Sequence, residues 1–260
     1  MDEKTARAAL EQAFRLWFEP ELKRRKTVGA IPPAFKLWAV QVVLDLDADD
    51  PEVRFNEEIR GAFIGSTRGP AKVGKAVLLR DITSIRSMHL TEEDPDAGHL
   101  TAIVHNGHWS LFFDFRYNAT RIADQLTGAD QFLAVAASAI EAGHHIAAVD
   151  NLYDAVQIMA KCFLLLQPDA KAIAATTHGF IQTRFNFQGK MGNVGATSVR
   201  LLNRLADLRP KTRYAPKPAN VSQQELSKLL EDARQMRNDL EERRPKRIKL
   251  PQRSIEVSEK

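Results

Sequence analysis

From Val149 to Leu164 the apolar residues at 149, 152, 153, 156, 160, 163 and 164 return at three- and four-residue spacing, tracing one helix face almost without error. A stripe that regular commits its segment to the core of a helical bundle. Its surroundings agree. From Asn118 onward every apolar pattern is helical, with predicted helices over about 118–142, 145–167, 169–187 and 196–209. Gly143 suits the left-handed position that closes the first. Pro168 and Pro210 are expected to stop the second and the fourth. Asn118 is expected to cap the helix that follows it.

Before Asn118 the pattern changes. Ala9, Leu10, Ala13, Phe14, Trp17 and Phe18 recur at helical spacing and predict a helix over 4–26, which Pro20 should interrupt or kink. Strand-like runs then follow at Leu37–Leu46, Pro51–Gly65 and Ala76–His89. The clearest pair, Leu100–His105 and Trp109–Phe115, flanks Asn106-Gly107, which supplies the two positive φ values of a tight type I′ hairpin. Residues 35–117 are therefore expected to form an antiparallel sheet of at least four strands, with the N-terminal helix packed on it.

After the Pro-spaced stretch Ala215–Pro218 a last helix is predicted over about 223–244. Ser222 and Glu225 form a capping box there, and Val221 and Leu226 stand at the positions of a hydrophobic staple. The stripe Leu226, Leu229, Leu230, Ala233, Met236 and Leu240 is narrow, suited to docking on the bundle or pairing with a second copy. The fold class is thus α+β: an N-terminal helix plus a small antiparallel β-sheet domain at 1–117, an all-α four-helix bundle at 118–214, and a C-terminal helix within a basic extension at 215–260.

Composition narrows the function. No run in the 260 residues approaches the length of apolar chain that spans a bilayer, and the charged start Met1-Asp2-Glu3-Lys4 is not a secretory signal. One cysteine, Cys162, cannot form an internal disulfide, so a cytoplasmic protein is expected. Residues 200–260 hold 16 Lys and Arg against 9 Asp and Glu, whereas the first 199 carry 21 against 24. Much of the excess lies in Arg243, Arg244, Lys246, Arg247 and Lys249. That cluster reads as a solvated tail, with phosphate contact as the alternative.

The order Leu152-Tyr153-Asp154-Ala155-Val156 to Ala160-Lys161, then His178-Gly179-Phe180-Ile181 to Phe185-Asn186, then Leu201-Leu202-Asn203-Arg204-Leu205 with an Arg209–Tyr214 ending, resembles the HEPN family. These are small helical bundles named for nucleotide binding in higher eukaryotes and prokaryotes. The resemblance covers about 118–214. It implies a bundle that forms homodimers, an association with RNA, a nucleotide or a partner protein, and a toxin–antitoxin or defence context. Members that cleave RNA carry an arginine followed within a few residues by a histidine. Here Arg204, Arg209 and Arg213 have no such histidine, and arginine cannot exchange a proton near neutral pH. No catalytic residue is therefore assigned. His178 with Arg209 and Arg213 is the remaining candidate constellation, and a divergent metal-independent ribonuclease the alternative function.

Arg204, Arg209, Arg213, Lys190 and Tyr214 are the candidate nucleic-acid or phosphate-binding residues, Tyr214 by stacking. The competing reading pairs Arg209 and Arg213 with Asp150, Asp154 or Asp207. His105 and His108 flank the hairpin turn but lack the further ligands a metal site needs. His144-His145 reads as an interhelix loop. The three glycines of 189–195 match neither phosphate-loop nor dinucleotide spacing. No metal, no cofactor and no membrane partner is expected. The leading expectation is a non-catalytic binding or scaffolding protein.

Overall fold

The computed structural model describes residues 2–70, 77, 79–94, 96–213 and 221–247. The chain divides into two compact units, one of residues 1–115 with 246–260 and one of residues 116–245.

The first unit opens with helix α1 (Glu3–Ala13), a π-helical turn at Phe14–Phe18 and helix α2 (Glu19–Thr27). Pro20 does not break the rod. It lies in the first turn of α2, and the wider turn before it, closed by the Glu19 amide on the Phe14 carbonyl, absorbs the missing donor. Strands β1 (Ala39–Leu44), β2 (Glu52–Phe55), β5 (Gly98–His105) and β6 (His108–Asp114) form an antiparallel sheet in the order β2-β1-β5-β6. Strands β3 (Ala62–Thr67) and β4 (Ile82–His89) form a separate two-stranded ribbon. The predicted Pro51–Gly65 strand is thus two strands, parted by a 3-10 turn that begins at Asn56 with φ 50°. The β5–β6 turn has φ of 53° at Asn106 and 77° at Gly107, as a type I′ hairpin requires.

Alternation sorts the sheet's two faces. Val40, Val42, Phe55, Leu100 and Ala102 bury against Ala13 and Phe18 of the N-terminal helix. The opposite face carries a buried polar chain. Arg54 donates from Nη1 to Gln41 Oε1 (3.1 Å), and it grips Asp94 (2.9 Å to each oxygen) and Glu52. Gln41 Nε2 donates to Thr101 Oγ1 (3.0 Å), which lies 3.0 Å from His99 Nδ1. Gln41, Thr101 and His99 are fully buried. Burial therefore pushes the His99 imidazole down to about 4, although Asp114 pulls the other way.

The second unit is helical: α3 (Ala119–Glu141), α4 (His145–Leu165), α5 (Ala170–Ala174), α6 (His178–Lys190), α7 (Ala196–Arg213) and α8 (Gln223–Arg243). The stripe on α4 is its centre, with Leu152, Val156, Met159 and Leu165 fully buried. Helix α8 shares that core through Leu226, Ala233, Met236 and Leu240. Its capping box is half formed: the Glu225 amide donates to Ser222 Oγ (3.1 Å), but the Glu225 carboxylate turns to Arg204.

Three local expectations need correction. The helix predicted over 169–187 is broken at Ala175–Thr177, where side chains of α4 take the carbonyls: Lys161 Nζ donates to Ala175 O (2.7 Å) and Gln157 Nε2 to His178 O (3.3 Å). Helix α7 runs through Pro210 to Arg213, with the Thr212 hydroxyl donating to Leu208 O (3.2 Å). Asn118 does not cap α3. It sits in the left-handed region (φ 58°), and its Nδ2 donates to the terminal carbonyl of α4 at Leu165 (2.8 Å). Gly143 does take the left-handed position expected of it (φ 72°).

Candidate functional site

Helix α4 presents Asp150, Tyr153, Asp154 and Gln157 at three- and four-residue intervals, which places them on one face. Helix α7 brings Arg209 against that face. Its Nε lies 3.3 Å from Asp150 Oδ1 and its Nη2 3.4 Å from Asp154 Oδ1. Its Cζ stands over the Tyr153 ring, 4.6 Å from the centroid. The guanidinium is therefore held by two carboxylates and a π face, a fit its planar fork allows and an ammonium would not.

The break between α5 and α6 places His178 beside the same tyrosine. The two ring centroids are 5.5 Å apart and the planes are tilted by 51°. His178 is exposed, Tyr153 is buried, and the Gln157 bond to the His178 carbonyl anchors the helix start. Burial raises the Tyr153 phenol above its ordinary range, while the Arg209 charge acts to lower it. Beside this cluster, Asn203 of α7 accepts from Gln182 (2.8 Å) and exchanges hydrogen bonds with Asn186 (3.1 Å each way).

The helical span agrees with a comparison of known families. Residues 122–243 match the family model of the HEPN domain. The helical bundle is a HEPN-like domain. The match takes in α8, so the C-terminal helix that the sequence set apart lies inside the matched span as well as in the bundle core. No curated protein matches the chain.

Within the HEPN-like bundle the sequence candidates fall at different places. Arg204 is bound by Glu225 (2.6 Å) and Asp207 (3.4 Å), and Lys211 shares Asp207 (2.6 Å). Lys190 ends α6, exposed, and no contact among the described residues joins it to Arg204 or Arg209. The Arg213 side chain, Tyr214 and Lys249 lie outside the described residues. Arg243 donates to the Asn193 carbonyl and stands 5.7 Å from the Phe163 ring centroid, and Arg244 pairs with Glu241 (2.6 Å). Arg247 donates to Ala97 O (2.7 Å), and Lys246 precedes it. Three arginines of the basic cluster thus have partners in the fold.

Sequence reasoning read Tyr153 as core alone and gave Gln157 no role. The signal was available in the i, i+3, i+4, i+7 placement of Asp150, Tyr153, Asp154 and Gln157, which interleaves polar groups with the apolar stripe. Elsewhere, a cavity of about 430 Å³ in the first unit is lined by Arg25, Arg54, Arg60, Glu52, Glu57 and Glu58. Each arginine there is answered by a carboxylate: Arg25 by Glu21 and Glu58, Arg54 by Glu52 and Asp94, Arg60 by Glu93. Cys162 is buried beside Gln125 and burial pushes its thiol up to about 12, so it is no nucleophile. Among the described residues no cluster of His, Cys, Asp and Glu is disposed to hold a metal, and no helix is long and apolar enough to cross a membrane.

Proposed function

We propose that this protein is a non-catalytic binding and scaffolding module whose HEPN-like bundle self-associates, in the RNA- or nucleotide-associated, toxin–antitoxin or defence setting that the family suggests. The observation that carries the reading is the engagement of Arg209 by Asp150, Asp154 and the Tyr153 ring. A ribonuclease of this family needs an arginine turned to the phosphate and a histidine that moves the proton. In this bundle the arginine's charge is already met by two carboxylates. Phe187 and Met191, four residues apart on α6 and 49% and 62% exposed, support a surface for the second copy.

A metal-independent ribonuclease is the second reading, favoured by one observation: Arg209 and His178 share Tyr153 as a neighbour. Incubation of labelled RNA with the purified protein in chelator separates the two. Intact RNA supports the scaffold. Cleavage that survives the chelator and disappears in both Arg209→Ala and His178→Ala overturns it. Light scattering of the same sample should give twice the chain mass.

A further inference from the structure

In the first unit almost every described arginine is engaged. Arg7, Arg24, Arg25, Arg54 and Arg60 hold carboxylates, Arg15 holds Gln12 and Arg247 a carbonyl. Arg68, Arg80 and Arg86 are the exceptions. All three are exposed, and among the described residues their side chains make no hydrogen bond or ion pair. All three belong to the β3–β4 ribbon: Arg68 just beyond the end of β3, Arg80 just before β4, and Arg86 within it.

The ribbon's irregularities explain how Arg86 stands out. Pairing steps from Ile64↔Ser87 to Gly65↔Ile85, which leaves Arg86 as the extra residue of a bulge. A second step, from Ser66↔Ser84 to Thr67↔Ile82, does the same for Thr83. Glycine is required at 65, because a Cβ there would stand 2.1 Å from the Ser84 carbonyl oxygen. Between the bulges Ser66 and Ser84 face each other across the strands, both exposed. The Arg68 amide meets the Asp81 carbonyl (2.9 Å), so Arg68 and Arg80 share one end of the ribbon.

Charge isolates this element from its surroundings. Residues 61–87 carry five cations (Arg68, Lys72, Lys75, Arg80, Arg86) against one acid, Asp81. That is a net of +4 inside a 199-residue stretch whose net is −3. Lys72 and Lys75 lie outside the described residues; the three arginines lie within them. Arg80, in the 3-10 turn before β4, and Arg86 are six residues apart, at most about 20 Å at the ~3.3 Å per residue of extended chain. They cannot converge on one phosphate; they match a ligand that repeats its charge. A two-stranded ribbon also fits the width of a duplex major groove.

We infer that the β3–β4 ribbon is a nucleic-acid-binding arm, in which Arg68, Arg80 and Arg86 contact separate phosphates of a polynucleotide backbone and the Ser66 and Ser84 hydroxyls donate beside them. The contact is to backbone rather than to bases, since unanchored arginines on an exposed ribbon neutralise charge without fixing a bidentate geometry.

The test is fluorescence anisotropy of the full chain with three labelled probes of equal length: duplex DNA, duplex RNA and single-stranded RNA. Three phosphate contacts on a duplex give a salt slope of about −2.7, roughly 40-fold weaker binding from 50 to 200 mM salt. The triple variant R68Q/R80Q/R86Q should bind at least tenfold more weakly, with a flattened slope and an unchanged circular dichroism spectrum. R121Q/R200Q/R234Q removes the same charge from exposed positions of the bundle and should bind like the parent. Tight binding of any probe with this contrast supports the arm, and the preferred probe names its nucleic acid. No binding at 50 mM salt, equal loss in both triple variants, or loss only in the bundle variant overturns it. The duplex DNA probe reads the arm whether or not the bundle cleaves RNA.

Discussion

The Arg209 guanidinium lies over the Tyr153 ring, 4.6 Å from its centroid, with Asp150 and Asp154 at its nitrogens. One residue of α7 is thereby fixed by three neighbours on one face of α4. The pairing is partly shielded, with the Arg209 side chain 23% exposed, so it contributes to the fold as well as silencing a charge.

Arg209→Ala should lower stability by about 1–3 kcal/mol, because it takes a guanidinium away from two half-buried carboxylates and uncovers an aromatic face. Arg209→Lys should recover only part of this, since an ammonium cannot hold both acids while stacking. Urea denaturation of the three proteins measures the order; equal midpoints for Arg209→Lys and the parent would refute the stacking argument.

His99 makes stability depend on pH. Its folded value, about 4, lies below its ordinary 6.5, so the folded state resists protonation. The contribution is complete above pH 6.5 and is lost as pH falls toward 4, by about 3 kcal/mol if the whole shift is realised. Glu21 acts in a lower window: its bonds to Arg24 and Arg25 bring it from 4.5 to about 2, and its contribution is lost as pH falls from 4.5. Unfolding followed between pH 7 and 4 should show the first loss in the parent and not in His99→Gln.

Helix α8 should be essential to the bundle. Leu226→Ala and Leu240→Ala each empty a fully buried position and should cost about 2–5 kcal/mol. If either variant melts with the parent, α8 does not belong to the cooperative core.

Cys162 should resist thiol reagents in the native protein at pH 8 and react once urea unfolds the chain, since its folded thiol is buried and pushed up to about 12. Modification at equal rates in both states would show that the site opens readily.

The sequence announced the architecture through period. The α4 stripe, the Asn106-Gly107 hairpin and the Ser222–Leu226 helix start were local signals with local causes, and the bundle, the hairpin and α8 formed accordingly. What it concealed depends on partners far along the chain. Pro20 and Pro210 are absorbed because neighbouring turns adjust, and helix 169–187 breaks because Lys161 and Gln157 supply donors to its carbonyls. The candidate site was half legible: Asp150 and Asp154 were foreseeable partners for Arg209, whereas the place of Tyr153 between Arg209 and His178 rests on helix packing. The register steps that expose Arg86 leave no mark beyond Gly65.

The buried chain from Arg54 to His99 has a direction. A guanidinium only donates, so Gln41 must turn its oxygen to Arg54, and the Arg60 peptide, which donates to that oxygen and accepts from the amide nitrogen, enforces the same orientation. Gln41 nitrogen then donates to Thr101, whose hydroxyl is left to donate to His99 Nδ1. With the hydroxyl donating in this way, the imidazole carries its proton on Nε2. A cation at the edge of the sheet and the Arg60 backbone thus orient together the amide that leads to a buried histidine, and ¹⁵N chemical shifts read which of its nitrogens holds the proton.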